Sequence, residues 1–116
     1  MYNVPDDIDS VLKTFIVGVQ EMLGEHLKKV ILYGSYARGD YSEGSDVDIM
    51  ILTDIDGKEL EDKEFEMWNF AYDLECEYHF KIHLSPILIN IDSFNSWLDV
   101  KPFYMNVQKE GVVLRG

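Results

Sequence analysis

Positive charge is scarce in this chain of 116 residues, which carries 10 Lys and Arg against 22 Asp and Glu and has a net charge of −12. Proteins that bind a phosphate backbone use clustered Lys and Arg. The composition therefore argues against direct binding of nucleic acid, and against a polymerase in particular.

Cysteine and long apolar runs are also rare. The single cysteine, Cys76, excludes an internal disulfide framework. The sequence contains no secretory signal pattern and no apolar run of about 20 residues. We therefore expect a cytoplasmic protein that does not contact a membrane.

The chain is short, but 47% of its residues are hydrophobic, which is enough for one real core. It has no room for a second domain that would hold a substrate. We predict a single domain over residues 1–116 that recognises its substrate through a partner or through self-association into a homo-oligomer.

The first helix is predicted over residues 5–25. Apolar side chains recur there at a spacing of three to four, Pro5 and two aspartates stand at the start, and Gly24 lies near the end. A second helix is predicted over residues 58–75, where Leu60 and an aromatic stripe share one face. We expect that stripe to be core; its aromatic members are Phe65, Trp68 and Tyr72.

The last third of the chain alternates in the same way. An apolar strand is predicted over residues 80–89, and Pro86 within it indicates an edge position or a bend. Short helices are expected from about Asp92 and from Pro102 to about Lys109.

A glycine–serine turn follows the apolar run of residues 29–33. Gly34 allows a phosphate to approach the backbone, and successive N–H groups with the Ser35 hydroxyl can form an anion-binding nest. The nest is stronger if residues 36–38 begin a helix. Arg38 either adds a cation near the phosphates or forms a surface ion pair with Asp40 or Glu43.

Two aspartates follow, and ten residues separate the serine from the first of them. Asp46 and Asp48 lie in the apolar segment of residues 45–52 and should share one face of a strand, since side chains two apart point the same way. Their carboxylates repel each other, and a bound Mg²⁺ would relieve the repulsion. The strand should be a sheet neighbour of residues 29–33.

The segment LYGSYARGDYSEGSDVDIMIL, residues 32–52, resembles the signature of the minimal nucleotidyltransferases in the polymerase-beta-like superfamily. That signature is a GS pair, a spacer and DxD. The resemblance extends to the ending EGVVL at residues 110–114. It implies a small α/β (α+β) core, a short mixed sheet with helices packed mainly on one face.

The resemblance also implies an activity. Gly34 and Ser35, with Arg38 and Ser45 beside them, would bind the phosphates of ATP, and Asp46 and Asp48 would be the catalytic ligands of Mg²⁺. An acceptor hydroxyl would attack the α-phosphate and release pyrophosphate.

The chain departs from the family pattern at the third carboxylate, which the pattern places on a later strand. His83 occupies the aligned position, and no Asp or Glu occurs between Glu77 and Asp92. Three explanations stay open. His83 is itself a catalytic ligand or base, Glu75 or Glu77 reaches the site, or catalysis is weak or absent.

The resemblance implies a partner as well. Small proteins of this kind are often paired with a HEPN-family toxin and act as its antitoxin by attaching AMP to a toxin tyrosine. An acidic surface suits a basic partner. The alternatives are an antitoxin that only binds its toxin, and a nucleotidyltransferase that acts on a small molecule.

Overall fold

The structure, a computed structural model, describes residues 3–116 and has the expected mixed α/β class. Helices and strands alternate along the chain. In order they are α1 (Asp6–Leu23), a short 3-10 turn (Gly24–His26), β1 (Leu27–Tyr33), α2 (Ser35–Arg38), β2 (Asp46–Thr53), α3 (Gly57–Glu77), β3 (His83–Asn90), α4 (Ile91–Trp97), α5 (Pro102–Glu110) and β4 (Val112–Arg115).

The four strands form one mixed sheet in the order β3-β2-β1-β4. β2 is a sheet neighbour of β1, as predicted; the two strands are antiparallel, and β2 pairs parallel with β3. Because β2 is covered on both faces, it is an almost continuous apolar run, and its charged residues, Asp46 and Asp48, stand at its start. Its polar end therefore marks where the sheet opens to solvent.

The two sheet faces carry separate cores. Val30, Leu32 and Ile49 face the long helices α1 and α3, whereas Ile31 and Met50 face the short helices α4 and α5. The longer helices thus lie on one face, as expected, and the short pair covers part of the other. Side chains alternate along a strand, so Asp46 and Asp48 belong to the same face as Met50 and α5.

The prediction for α1 is confirmed. The helix starts directly after Pro5, buries one apolar face and ends at Gly24, whose φ of 55° stops the helical turn. Phe15 is completely buried and stacks on Phe70 of α3, with 5.8 Å between the ring centroids. This contact joins the two long helices.

The prediction that the aromatic stripe of α3 is core is wrong. Phe65, Trp68 and Tyr72 are exposed, and the buried side chains of this helix are smaller. Met67, Ala71 and Leu74 continue the line of the partly buried Leu60 at helical spacing. Two stripes of equal period compete on α3, and the one that includes the small Ala71 packs against the core.

The later elements agree with their predictions except at one boundary. β3 lies at the sheet edge, which accounts for Pro86 within it. It begins at His83 rather than at residue 80, because residues 78–82 form a turn in which His79 and Phe80 have positive φ. Asn90 caps α4 by accepting hydrogen bonds from the N–H groups of Asp92 and Ser93. Within residues 3–116, no helix combines the length and apolar character that a bilayer span requires.

Candidate functional site

A cavity of about 450 Å³ lies where β1 and β2 meet α2 and α5. It collects the glycine–serine turn, both aspartates and the two flanking residues singled out from the sequence. The residues that line it are Tyr33, Gly34, Ser35, Arg38, Ser45, Asp46, Asp48, Phe103, Asn106, Val107 and Glu110.

Gly34 shapes the floor of this cavity. Its φ of 77° and ψ of −156° lie in a region that is essentially limited to glycine. A Cβ atom at this position would overlap with the Asp48 carboxylate, which lies directly against the backbone. The absence of a side chain therefore lets the turn and the carboxylate occupy neighbouring space.

The turn continues into α2. The N–H groups of Ala37 and Arg38 donate to the Gly34 carbonyl at 3.1 and 3.0 Å. The first N–H groups of a helix have no acceptor within it, and Ser35, the first residue of α2, lines the cavity. This arrangement suits a phosphate.

The two aspartates are electrostatically coupled. Burial raises the pKa of the Asp48 carboxyl, the neighbouring charge of Asp46 raises it further, and Arg38 partly offsets both effects. Carboxylate oxygens are the ligands that Mg²⁺ prefers. Residues 3–116 contain no group of three or more His, Cys, Asp and Glu side chains that could hold a metal ion. The pair fits an Mg²⁺ ion whose other ligands are phosphate oxygens and water.

Arg38 forms two ion pairs, one of which connects it to α5. Its Nε is 3.2 Å from Asp40 Oδ2, and its Nη1 is 3.2 Å from Glu110 Oε2. The surface ion pair with Asp40 is therefore present, but the second carboxylate is Glu110 rather than Glu43. Arg38 still lines the cavity, so a phosphate there would compete with these exposed carboxylates.

Ser45 and Tyr33 complete the rim near the aspartates. The Ser45 hydroxyl accepts a hydrogen bond of 2.9 Å from the N–H of Ser42 and so holds the turn before β2. Burial, followed by the charge of Asp48, raises the pKa of Tyr33 to about 12, so its phenol remains protonated. The Tyr33 ring meets Phe103 edge-on, with 5.6 Å between centroids.

Sequence reasoning missed the contribution of α5. Phe103, Asn106 and Glu110 reach the cavity from one side of this helix. Their spacing of three and four residues was the available signal. A helix carrying this pattern after Pro102 could have been assigned to the site as well as to the core.

His83 lies beside Asp46 in the register of β3 with β2 but is not among the residues that line the cavity. Its Nδ1 is 3.6 Å from Glu75 Oε2, and Glu75 also accepts a hydrogen bond of 3.4 Å from the N–H of Leu84. Glu75 thus reaches His83 from α3, whereas Glu77 is exposed at the helix end.

Comparison with protein families agrees with this geometry. The family model for the nucleotidyltransferase domain matches residues 12–113. A provisionally named protein adenylyltransferase of Methanocaldococcus jannaschii is 32% identical over 108 residues, 91% of this chain and 96% of that protein. Another from the same organism is 32% identical over 84 residues, 71% of this chain and 54% of its own length.

Solved structures share the fold. A provisionally named nucleotidyltransferase from Sulfolobus solfataricus has a TM-score of 0.51 at 21% identity, covering 97% of this chain and 89% of that one. A chain of the MntA-HpeT toxin–antitoxin has a TM-score of 0.52 at 18% identity, covering 90% of this chain and 73% of its own. A toxin–antitoxin with AMP-PNP gives 0.50 at 20% identity, with the same coverage.

Gly34→Ala should weaken nucleotide binding, because the added methyl group displaces the Asp48 carboxylate. Gly39→Ala is the matched control, since Gly39 also has a positive φ, of 89°, but has open space around it. Titration calorimetry with Mg²⁺ and a non-hydrolysable ATP analogue should show binding weakened about 10- to 100-fold by the first change alone. Equal losses in both variants would contradict the proposed contact.

Asp48→Asn should raise the urea midpoint of unfolding at pH 7. The pKa of Asp48 is raised in the folded state, so stability falls as pH rises from the ordinary pKa of the carboxyl through its raised value. The gain should be largest at pH 7 and shrink at about pH 3, where the carboxyl is protonated. The exposed Asp99→Asn should change stability by less than about 0.5 kcal/mol at either pH. If the Asp48→Asn variant is less stable than the unchanged protein at pH 7, the result would contradict a raised pKa of Asp48 in the folded state.

Proposed function

Because the chain belongs to the nucleotidyltransferase domain family, we propose that it transfers AMP from ATP to a hydroxyl group with the help of Mg²⁺. The observation that carries this proposal is the convergence of the Gly34 turn with Asp46 and Asp48 in one cavity. A phosphate nest and a pair of metal-ligating carboxylates are two of the parts that this chemistry uses.

In this proposal the N–H groups after Gly34 and the Ser35 hydroxyl bind the phosphates. Asp46 and Asp48 hold Mg²⁺, which when bound neutralises charge that develops on the phosphate oxygens. Tyr33 and Phe103 supply an apolar wall, and the Asn106 amide can hydrogen-bond the nucleoside. The chain then acts mainly by positioning the α-phosphate and the acceptor.

We propose that the acceptor is a tyrosine of a partner toxin of the HEPN family. The name of the M. jannaschii relatives supports a protein acceptor, and the toxin–antitoxin chains with the same fold support a toxin partner and an adenine nucleotide. The net charge of −12 favours a basic partner. Modification of the toxin would then inactivate it.

A second candidate is an antitoxin that neutralises the toxin by binding alone. The observation that favours it is His83, which lies beside Asp46 where the family pattern has a carboxylate. Mg²⁺ prefers oxygen to imidazole nitrogen. A chain with two carboxylates would bind nucleotide but transfer AMP slowly.

Transfer is tested with labelled ATP, Mg²⁺ and the protein encoded next to this chain. We expect the label on that protein, and we expect Asp46→Asn with Asp48→Asn to abolish it, because the metal then loses both carboxylates. Mass spectrometry should place AMP on a tyrosine.

Asp99→Asn, which changes an exposed carboxylate that does not line the cavity, is the control and should label its partner normally. Unchanged labelling by the double variant would overturn the metal assignment. If the double variant loses labelling but still neutralises the toxin, neutralisation occurs by binding.

His83→Ala should lower the rate of AMP transfer at least about tenfold without loss of folding, if His83 is a ligand or base. His83→Asp should restore or raise the rate, since it places a carboxylate beside Asp46 in the strand register. Single-turnover rates with circular dichroism as the folding check measure both. A rate unaltered in His83→Ala would return this residue to a structural role.

A further inference from the structure

The exposed side of α3 carries a continuous aromatic surface, which we call the aromatic face. It consists of three residues of the helix and one from the turn that follows. Their exposed fractions are 65% for Phe65, 49% for Trp68, 58% for Tyr72 and 49% for Phe80. Large aromatic side chains grouped in this way on a surface are typical of protein interfaces.

Phe80 extends the face beyond the helix at a conformational cost. Its φ of 58° lies in the left-handed region, and its ring centroid is 5.8 Å from that of Tyr72. A bulky residue is unfavourable at positive φ, where glycine would be favoured. Since Phe80 is half exposed, burial within this chain does not account for an aromatic residue there. A contact outside the chain would account for it.

Acidic side chains surround the aromatic face. α3 has eight carboxylates and two lysines, and both lysines are paired within the helix, with Asp62 and Glu66. The carboxylates are Glu59, Glu61, Asp62, Glu64, Glu66, Asp73, Glu75 and Glu77. A second copy, an anionic membrane or a nucleic acid would bring like charge against this border. A basic protein would bring opposite charge.

The aromatic face ends, in sequence, just before the strand that pairs with β2. Phe80 lies three residues before His83, the residue that pairs with Asp46 in the register of β3 and β2. At the end of α3, Glu75 contacts the same histidine. A protein docked along α3 would therefore lie beside the segment that leads into the edge strand β3.

We propose that the aromatic face of α3 is the docking surface for a basic protein segment, a helix whose apolar ridge is bordered by Lys and Arg. That this segment belongs to the protein that receives AMP rests on the proposed function; the docking itself does not. Aromatic side chains supply the buried anchors, and the acidic border selects a partner of opposite charge.

The test uses a defined probe, a fluorescent helical peptide of about 20 residues with leucines along one side and lysines beside them, about the length of α3. Fluorescence anisotropy should show binding that weakens as salt rises. The same peptide with glutamate in place of every lysine should bind at least about tenfold less tightly. Absence of binding to the lysine peptide would overturn the proposal.

Substitutions on α3 and elsewhere show where on the protein the peptide binds. Phe65→Ser, Trp68→Ser and Tyr72→Ser together should weaken peptide binding at least about tenfold, because aromatic anchors dominate interface energies. The matched control changes three similarly exposed apolar residues elsewhere and should bind within about twofold of the unchanged protein. Its substitutions are Trp97→Ser, Val100→Ser and Met105→Ser. Equal weakening in both variants would overturn the assignment to α3.

Phe80→Gly tests whether Phe80 contributes to peptide binding rather than to folding stability. Glycine relieves the positive φ, so the melting temperature should not fall, whereas peptide binding should weaken about threefold or more. Unchanged peptide binding would show that Phe80 is not part of the docking surface. Sedimentation equilibrium measures whether the protein self-associates. If it does, and if the aromatic triple variant abolishes this association, a second copy of the chain occupies the aromatic face and the proposal is overturned.

The docking surface and the proposed AMP transfer can be tested independently of each other. Peptide binding is measured without nucleotide, and Asp46→Asn with Asp48→Asn should leave it unchanged. Failure of AMP transfer with intact peptide binding would count against the proposed function alone. Loss of peptide binding in the aromatic variant, with unchanged binding of the ATP analogue, would support docking at a separate surface.

Discussion

The burial of the Asp48 carboxyl at the end of an apolar strand, beside the charge of Asp46, is the constraint on which the site depends. β2 is apolar wherever sheet and helices cover it, and Asp46 and Asp48 follow one another on one face as it emerges. Because Gly34 has no side chain, the backbone of the turn can lie directly against the Asp48 carboxylate. The fold thus holds a charge pair in place that a cation would stabilise, at the position where helix N–H groups can receive a phosphate.

If both proposals hold, the division of the helices between the two sheet faces separates the nucleotide site from the docking surface. The face that carries the aspartates is covered by α5, which also contributes Asn106 and Glu110 to the cavity. The opposite face is covered by α1 and α3, and the outer side of α3 is the aromatic face. A small chain can in this way hold a nucleotide on one side and a protein on the other. The sheet edge beside β3 connects the two surfaces.

Local and long-range features differed in how well the sequence predicted them. The turn at Gly34, the aspartate pair and α1 depend on neighbours in sequence, and their patterns predicted them correctly. The cavity wall from α5 and the ion pair of Arg38 with Glu110 join residues far apart in the chain. The spacing of Phe103, Asn106 and Glu110 indicated one side of a helix, but not that this side meets the glycine–serine turn. On α3, the spacing of apolar residues predicts two possible buried stripes and could not decide which one packs against the core. The size of Ala71 and the docking of the helix on α1 decided which one is buried.

The pKa of Asp48, followed by carboxyl carbon NMR, tests the central claim most directly. In the free protein we expect it above the ordinary value for aspartate, for the reasons of burial and the Asp46 charge. With saturating Mg²⁺ and a non-hydrolysable ATP analogue we expect it to fall below that value, because a bound cation favours the carboxylate. A pKa that is ordinary in the free protein, or that does not move when metal and nucleotide are added, would contradict the assignment of this pair as the metal site.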